Sequence, residues 1–211
     1  MPPSAEIERI LRLSPVMPVV IIEAAEIAPD LARALVRGGV RVVEITLRTP
    51  AALPAIEAIA RQVPEIAVGA GTVLSPEDLR AAADAGAGFA ISPGATAALL
   101  SEAASGPIPY LPAVATASEV MEGLAQGYHC FKFFPAGPSG GTAALKAFAG
   151  PFPQARFCPT GGITQESVKS YLELGNVLCA GGSWLSPADA MAARDWRRIE
   201  ALASRAAASR T

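Results

Sequence analysis

Short apolar, β-rich runs alternate with alanine-rich runs along the whole chain, and this alternation restricts the fold more than any single motif. Candidate strands are 17–22, 42–46, 66–70, 89–91, 110–113, 131–134, 155–158 and 177–180. Between them lie helical runs such as 28–37, 51–62, 77–85 and 118–126. Continuous apolar strands separated by helices indicate a parallel sheet covered by helices. The punctuation repeats as well. Gly38, Gly86, Gly127 and Gly175 each precede a strand, where a left-handed helix cap is expected. Pro64, Pro107 and Pro151 mark the other helix-to-strand turns. Each series recurs at about twice the length of a βα unit. The pattern reads as eight βα units in quasi-fourfold order. The simplest closed solution is an α/β fold of the (β/α)8 TIM-barrel type, and 211 residues fall at its compact end. An open doubly wound sheet is the alternative, but no GxGxxG follows an early strand.

Local signals refine this picture. A short helix is expected over 4–13, before the first strand, and the whole chain, 1–211, reads as one barrel domain. Thr116 to Glu119 forms a capping box, and Ser75-Pro76 and Ser186-Pro187 each place a cap before an N1 proline. The tail after Ala203 is expected to fray.

Composition excludes several functions. Hydrophobic residues make up 51% and charged residues 17%, and the formal charge is -2. That is a globular chain with no electrostatic footprint for nucleic acid or an acidic membrane. Residues 1–4 lack a basic n-region, and the apolar run 16–22 is interrupted by Pro18 and is too short to span a bilayer. A cytoplasmic protein is expected. Cys130, Cys158 and Cys179 lie in apolar strands without CxxC spacing and read as reduced core thiols. His129 is the one histidine. A three-His zinc site is therefore impossible, and a Ser-His-Asp triad would need a residue expected on the surface. No metal and no cofactor is expected.

In such barrels chemistry collects at the carboxyl ends of the strands. Period-two alternation in 42–46 turns Val43 and Ile45 toward the helices and Glu44 and Thr46 inward. A carboxylate there is either one half of a buried ion pair, with Arg48 or Lys132, or a general acid/base. In "CFKFFPAG" the same alternation turns Lys132 inward if Phe131 and Phe133 pack on helices. A lysine walled by apolar groups gives up its proton more readily, and a neutral amine attacks a ketone to form a Schiff base. A purely structural Lys132–Glu44 pair is the plain alternative. Thr72 follows the glycines of strand three, and Pro93 lies in a tight turn after strand four. Gly161-Gly162 and Gly181-Gly182 each follow a strand directly. Paired glycines on the last two loops free backbone N–H groups to converge on phosphate.

The stretches "GGVRVVEITLRTP", "VGAGTVLSP", "FAISPG", "FKFFPA", "RFCPTGGI" and "GGSWL" run in the order known from one family. On them the chain closely resembles the 2-keto-3-deoxy-6-phosphogluconate aldolases, metal-independent class I enzymes of the Entner–Doudoroff pathway. The resemblance spans about 15 to 187. It implies a homotrimeric barrel that cleaves the phosphorylated keto-deoxy acid to pyruvate and glyceraldehyde 3-phosphate. It also implies that Lys132 forms the Schiff base and Glu44 is the general acid/base. Arg48 and Thr72 then hold the pyruvate end, and Pro93, Phe134 and Thr160 shape the pocket. Gly161, Gly162, Gly181, Gly182 and Ser183 form the phosphate site. Gly137 stands where the family often has an acid, and "PAVAT" replaces a more usual Pro-Gly-Ile. Within enzymes, 2-keto-4-hydroxyglutarate or the galactonate epimer is an alternative substrate, and a phosphate-binding barrel isomerase an alternative class. A sugar-phosphate binder would keep the glycine loops without needing Lys132 and Glu44.

Overall fold

The computed structural model describes residues 3–210. Its strands are β1 (Val16–Val20), β2 (Val42–Thr46), β3 (Ala67–Gly71), β4 (Ala90–Ile91), β5 (Tyr110–Leu111), β6 (Ala113–Val114), β7 (Cys130–Phe133), β8 (Arg156–Pro159) and β9 (Ala180–Gly182). The helices are α1 (Pro3–Leu11), α2 (Ala28–Arg37), α3 (Ala52–Gln62), α4 (Pro76–Asp84), α5 (Ala97–Ala104), α6 (Ala117–Ala125), α7 (Gly141–Ala149), α8 (Val168–Leu172), α9 (Ala188–Ala192) and α10 (Trp196–Ala207). The fold is α/β. A curled parallel sheet takes the order β5-β4-β3-β2-β1-β9, and a three-stranded parallel sheet takes the order β6-β7-β8. Parallel bridges Phe157↔Val177 and Thr160↔Gly181 run between the two.

The expected strand 110–113 is divided. Pro112 has no N–H to donate, so the ladder is interrupted there and β5 and β6 fall into different sheets. Its carbonyl still accepts from the Lys132 N–H at 2.9 Å.

Alternation sorts the strand residues into two apolar layers. Val43, Ile45, Phe131, Phe133 and Phe157 join the layer under the helices, where the Phe133 and Phe157 rings pack on Phe148 of α7. Met17, Val42, Phe89, Cys130, Cys158 and Cys179 form a second layer on the opposite face. Ile7, Ile10 and Leu11 recur at i, i+3 and i+4 on α1 and join this second layer, each at most 3% exposed. The helix expected over 4–13 thus covers the side from which the strands start, leaving their carboxyl ends for the site.

Helix ends correct four expectations. Gly86 and Gly127 are left-handed, at φ 85° and 86°, as read from the sequence. Gly38 is not: it is the C-cap at φ -75°, and Gly39 takes the left-handed position at 86°. Gly38 is needed for space instead, because a Cβ there would stand 2.4 Å from that of Ala203 on α10. Gly175 has no left-handed backbone either. Ser75 and Thr116 close their capping boxes with Asp78 and Glu119. Ser186 caps nothing. Its N–H is held by the Ser183 carbonyl, so the helix begins one residue later, with Pro187 as N-cap. Beyond Ala203 the chain stays helical to Ala207, with Ala203 and Ala206 buried.

Candidate active site

Strand β2 delivers Glu44 and β7 delivers Lys132, two residues from segments 88 positions apart. The Lys132 ammonium donates to Glu44 Oε1 at 3.1 Å and to Oε2 at 3.4 Å. The side chains are 6% and 2% exposed. Burying two ions costs several kcal/mol each, and mutual attraction offsets that only in good geometry. Here both carboxylate oxygens face the amine, so the pair is matched. A proton passed from Nζ to the carboxylate would leave a neutral amine beside a carboxylic acid. The Phe134 ring walls the amine, with its centroid 5.3 Å from Nζ.

The surrounding strand ends are ordered by hydrogen bonds. The Thr46 hydroxyl donates to the Val20 carbonyl at 3.0 Å, tying β2 to β1. Register pairs Lys132 with Cys158, so Thr160, one alternation further, lies on the same face of β8. Thr160 is buried, and the bare backbone of Gly181 makes room for it: a Cβ there would lie 2.2 Å from Thr160 Oγ1. Gly71 does the same for Glu44, and Gly69 for the Phe89 ring. Loops six and seven are joined, because the Ala136 and Gly137 N–H groups donate to the carbonyls of Thr160 and Gly161 at 2.8 and 2.9 Å. Gly137 is thus a backbone link to the loop of Gly161 and Gly162.

Of the other expected site residues, Thr72 follows β3 and has φ 58°. A β-branched residue in that region is a true outlier, and such outliers gather at functional sites. Gly161 and Gly162 have φ 96° and 75°, which suits glycine alone at no steric cost. Gly182 is bare because the Trp184 ring occupies its side-chain space. Ser183 and Arg48 are exposed, and Pro93 and Phe134 half-buried, all at the carboxyl ends of their strands. Sequence reasoning missed what Gly69 and Gly71 accommodate. Their spacing of two was the signal, since it puts both on one face of β3.

His129 is exposed, and the three cysteines are buried and free of disulfides, as expected. Cys158 and Cys179 approach to 3.4 Å between sulfurs. Among the described residues no helix is long and apolar enough to cross a membrane.

The family model described as KDPG and KHG aldolase matches residues 7–202. The chain is 55% identical over 199 residues to the KHG/KDPG aldolase of Escherichia coli K12, covering 94% of this chain and 93% of that one. A crystal structure of the KDPG aldolase from Legionella pneumophila, with pyruvate captured as a covalent carbinolamine intermediate, superposes with a TM-score of 0.93 at 46% identity, covering 95% of this chain and 98% of that one. The 2-keto-3-deoxy-6-phosphogluconate aldolase of Zymomonas mobilis ZM4, solved with 3-phosphoglycerate, gives 0.93 at 49% identity, covering 97% and 96%.

Proposed function

The chain belongs to the KDPG and KHG aldolase family and is an aldolase, and we propose how its residues perform the reaction. It cleaves 2-keto-3-deoxy-6-phosphogluconate to pyruvate and glyceraldehyde 3-phosphate through a lysine Schiff base. The observation that carries the assignment of Lys132 is its buried contact with Glu44 at 3.1 Å. Glu44 takes one proton from Lys132 Nζ, the neutral amine attacks the C2 ketone, and Glu44 gives that proton to the C2 oxygen to form the carbinolamine. Glu44 then takes a second N–H proton and returns it to the C2 hydroxyl, which leaves as water and gives the protonated imine. Removal of the C4 hydroxyl proton, by Glu44 directly or through water, breaks C3–C4 and sends the electron pair into the imine. The resulting enamine is protonated at C3, and water then releases pyruvate. The covalent carbinolamine of the Legionella enzyme supports the first step.

Arg48 and Thr72 hold the carboxylate end, while Pro93, Phe134 and Thr160 wall the acyl portion. Backbone N–H groups of Gly161, Gly162, Gly181 and Gly182, with Ser183, hold the phosphate, and that distant binding orients the reacting carbons. The 3-phosphoglycerate bound by the Zymomonas enzyme supports a phosphate-sized anion here. The chain forms one (β/α)8 barrel domain, a reading that the isolated parallel bridges at Phe157 and Thr160 support. The working form is a cytoplasmic homotrimer. The shared name of the Escherichia coli relative favours 2-keto-4-hydroxyglutarate as a second substrate, which a comparison of kcat/KM decides.

Borohydride reduction with pyruvate, followed by peptide mass spectrometry, tests the reading. It should place a pyruvate-derived adduct on Lys132 alone. No adduct, in protein that still binds a sugar phosphate, would make Lys132 a structural cation and favour an isomerase or a binder. Glu44→Gln should slow pyruvate C3 proton exchange by roughly 10²–10⁴-fold; exchange at the normal rate would remove Glu44 from the acid/base role.

A further inference from the structure

The inward face of β3 is bare where its neighbours are crowded. Ala67, Gly69 and Gly71 share that face by alternation, and Ala67 packs into the inner apolar layer. Neither Gly69 nor Gly71 has a left-handed backbone. An L-residue could adopt the conformation of both, so backbone freedom does not explain these glycines. Space does. The Phe89 ring of the neighbouring chain segment fills the place of a Gly69 side chain, at 2.3 Å from the ideal Cβ position. Glu44 fills the place of a Gly71 side chain from the other side. That Cβ position lies 2.1 Å from Oε1, 2.6 Å from Cγ and 2.7 Å from Cδ of Glu44. The conflict reaches Cγ, near the root of the side chain, so turning the carboxylate alone cannot relieve it.

Register explains the lean. Glu44 is paired with Gly69 and Thr46 with Gly71. The Glu44 side chain therefore runs forward along the sheet and across to the next residue pair. The oxygen above Gly71, Oε1, is also the one 3.1 Å from Lys132 Nζ. The Gly71 carbonyl is fixed by the Leu47 N–H at 2.8 Å, so the strand cannot easily retreat.

From this geometry we propose that Gly71 is a positioning residue: its missing side chain seats the Glu44 carboxylate within proton-transfer distance of Lys132. The inference rests on the acid/base reading of Glu44. Gly71 has no side chain to donate or accept a proton and acts through Glu44.

The test compares Gly71→Ala, Glu44→Gln and the double variant in pyruvate C3 proton exchange and in aldol cleavage. Gly71→Ala should lower kcat and the exchange rate by roughly 10²–10⁴-fold, the size of a lost acid/base, with KM little changed. Prolonged borohydride treatment should still place the adduct on Lys132. On top of Glu44→Gln, Gly71→Ala should cost about twofold or less, whereas independent sites would multiply their losses. Normal exchange in Gly71→Ala beside slow exchange in Glu44→Gln overturns the positioning role alone. Normal exchange in Glu44→Gln overturns the acid/base reading and this inference with it. Multiplying losses also overturn it. If Gly71→Ala does not fold, the substitution is placed in Glu44→Ala/Lys132→Met, which removes both the obstructing side chain and the buried charge. An unchanged thermal midpoint there supports the inference, and renewed failure to fold overturns it.

Discussion

At the scale of residues, the buried pair sets the terms. Lys132 and Glu44 are each tolerable in the interior because the other is there. Truncating one partner leaves a charge without a match, which typically costs about 3–5 kcal/mol. Lys132→Met should therefore destabilise the protein by roughly that much in urea unfolding, and adding Glu44→Gln should recover most of the loss. A small loss in Lys132→Met would mean that water reaches Glu44. A second residue pulls the other way. The Ser186 hydroxyl is buried and has no hydrogen-bond partner among the described residues, so Ser186→Ala should raise stability by about 1 kcal/mol, the low end of the cost of an unsatisfied group. Both sites show what a sequence can reveal. Period-two alternation was enough to turn Glu44 and Lys132 inward, because alternation is a local property of a strand. Ser186 was misread as a cap because a Ser-Pro pair looks the same whether or not its N–H is taken by a turn. The partner of Gly71 was out of reach, since it depends on the register between β2 and β3.

At the scale of elements, helix endings carry most of the local order. The chain leaves α2, α4 and α6 through the same pair of bonds. After α4, for example, the Ala87 N–H donates to Ala82 and that of Gly86 to Ala83, at 3.0 and 2.9 Å. This is the Schellman arrangement, with glycine in the left-handed place. The exit from α9 repeats it, with Asp195 donating to Ala190 at 2.8 Å and Arg194 to Met191 at 3.1 Å. Arginine stands in the glycine place there, at φ 53°. A left-handed L-residue costs roughly 1–2 kcal/mol, part of which glycine returns as unfolded-state entropy. Arg194→Gly should accordingly stabilise the protein by about 0.5–1 kcal/mol in urea unfolding; a loss would show that the Arg194 side chain contributes more than its backbone costs. The endings also explain the shifted boundaries. The glycine after a helix is easy to see, but Gly38-Gly39 offers two candidates, and packing against Ala203 decides between them. The last strand was expected at 177–180 and is Ala180–Gly182, because an apolar run marks burial as readily as pairing.

At the scale of the whole molecule, the strands divide their length between two duties. Their amino ends, with α1 across them, make a dry layer of aliphatic, aromatic and thiol side chains. Their carboxyl ends carry the ionic pair, the loop of Gly161 and Gly162, and the pair Gly181 and Gly182, which lies within β9 and not in the loop expected after it. The alternation of strand and helix made this division readable, although the break at Pro112 and the bridges that join the sheets depend on contacts no local pattern encodes. The dry layer has a consequence at high pH. Burial pushes the Cys130 thiol of this layer from 9.0 up to about 12 and, in the separate layer under the helices, the Tyr128 hydroxyl from 10.0 up to about 12. Both groups are acids whose charged form is the deprotonated one. In the folded protein they keep their protons until about pH 12, while in the unfolded chain they begin to lose them near pH 9 and 10. Between those limits the folded state binds more protons, so stability is full below about pH 9 and falls as pH rises. Each group contributes a slope of at most about 1.4 kcal/mol per pH unit. Unfolding by urea at pH 8 and pH 10.5 should show that decline. Cys130→Ala should lower stability at pH 8 by leaving a small cavity, yet flatten the decline toward pH 10.5. An equal decline in both proteins would place the thiol in contact with water and the layer beneath the active site open to it.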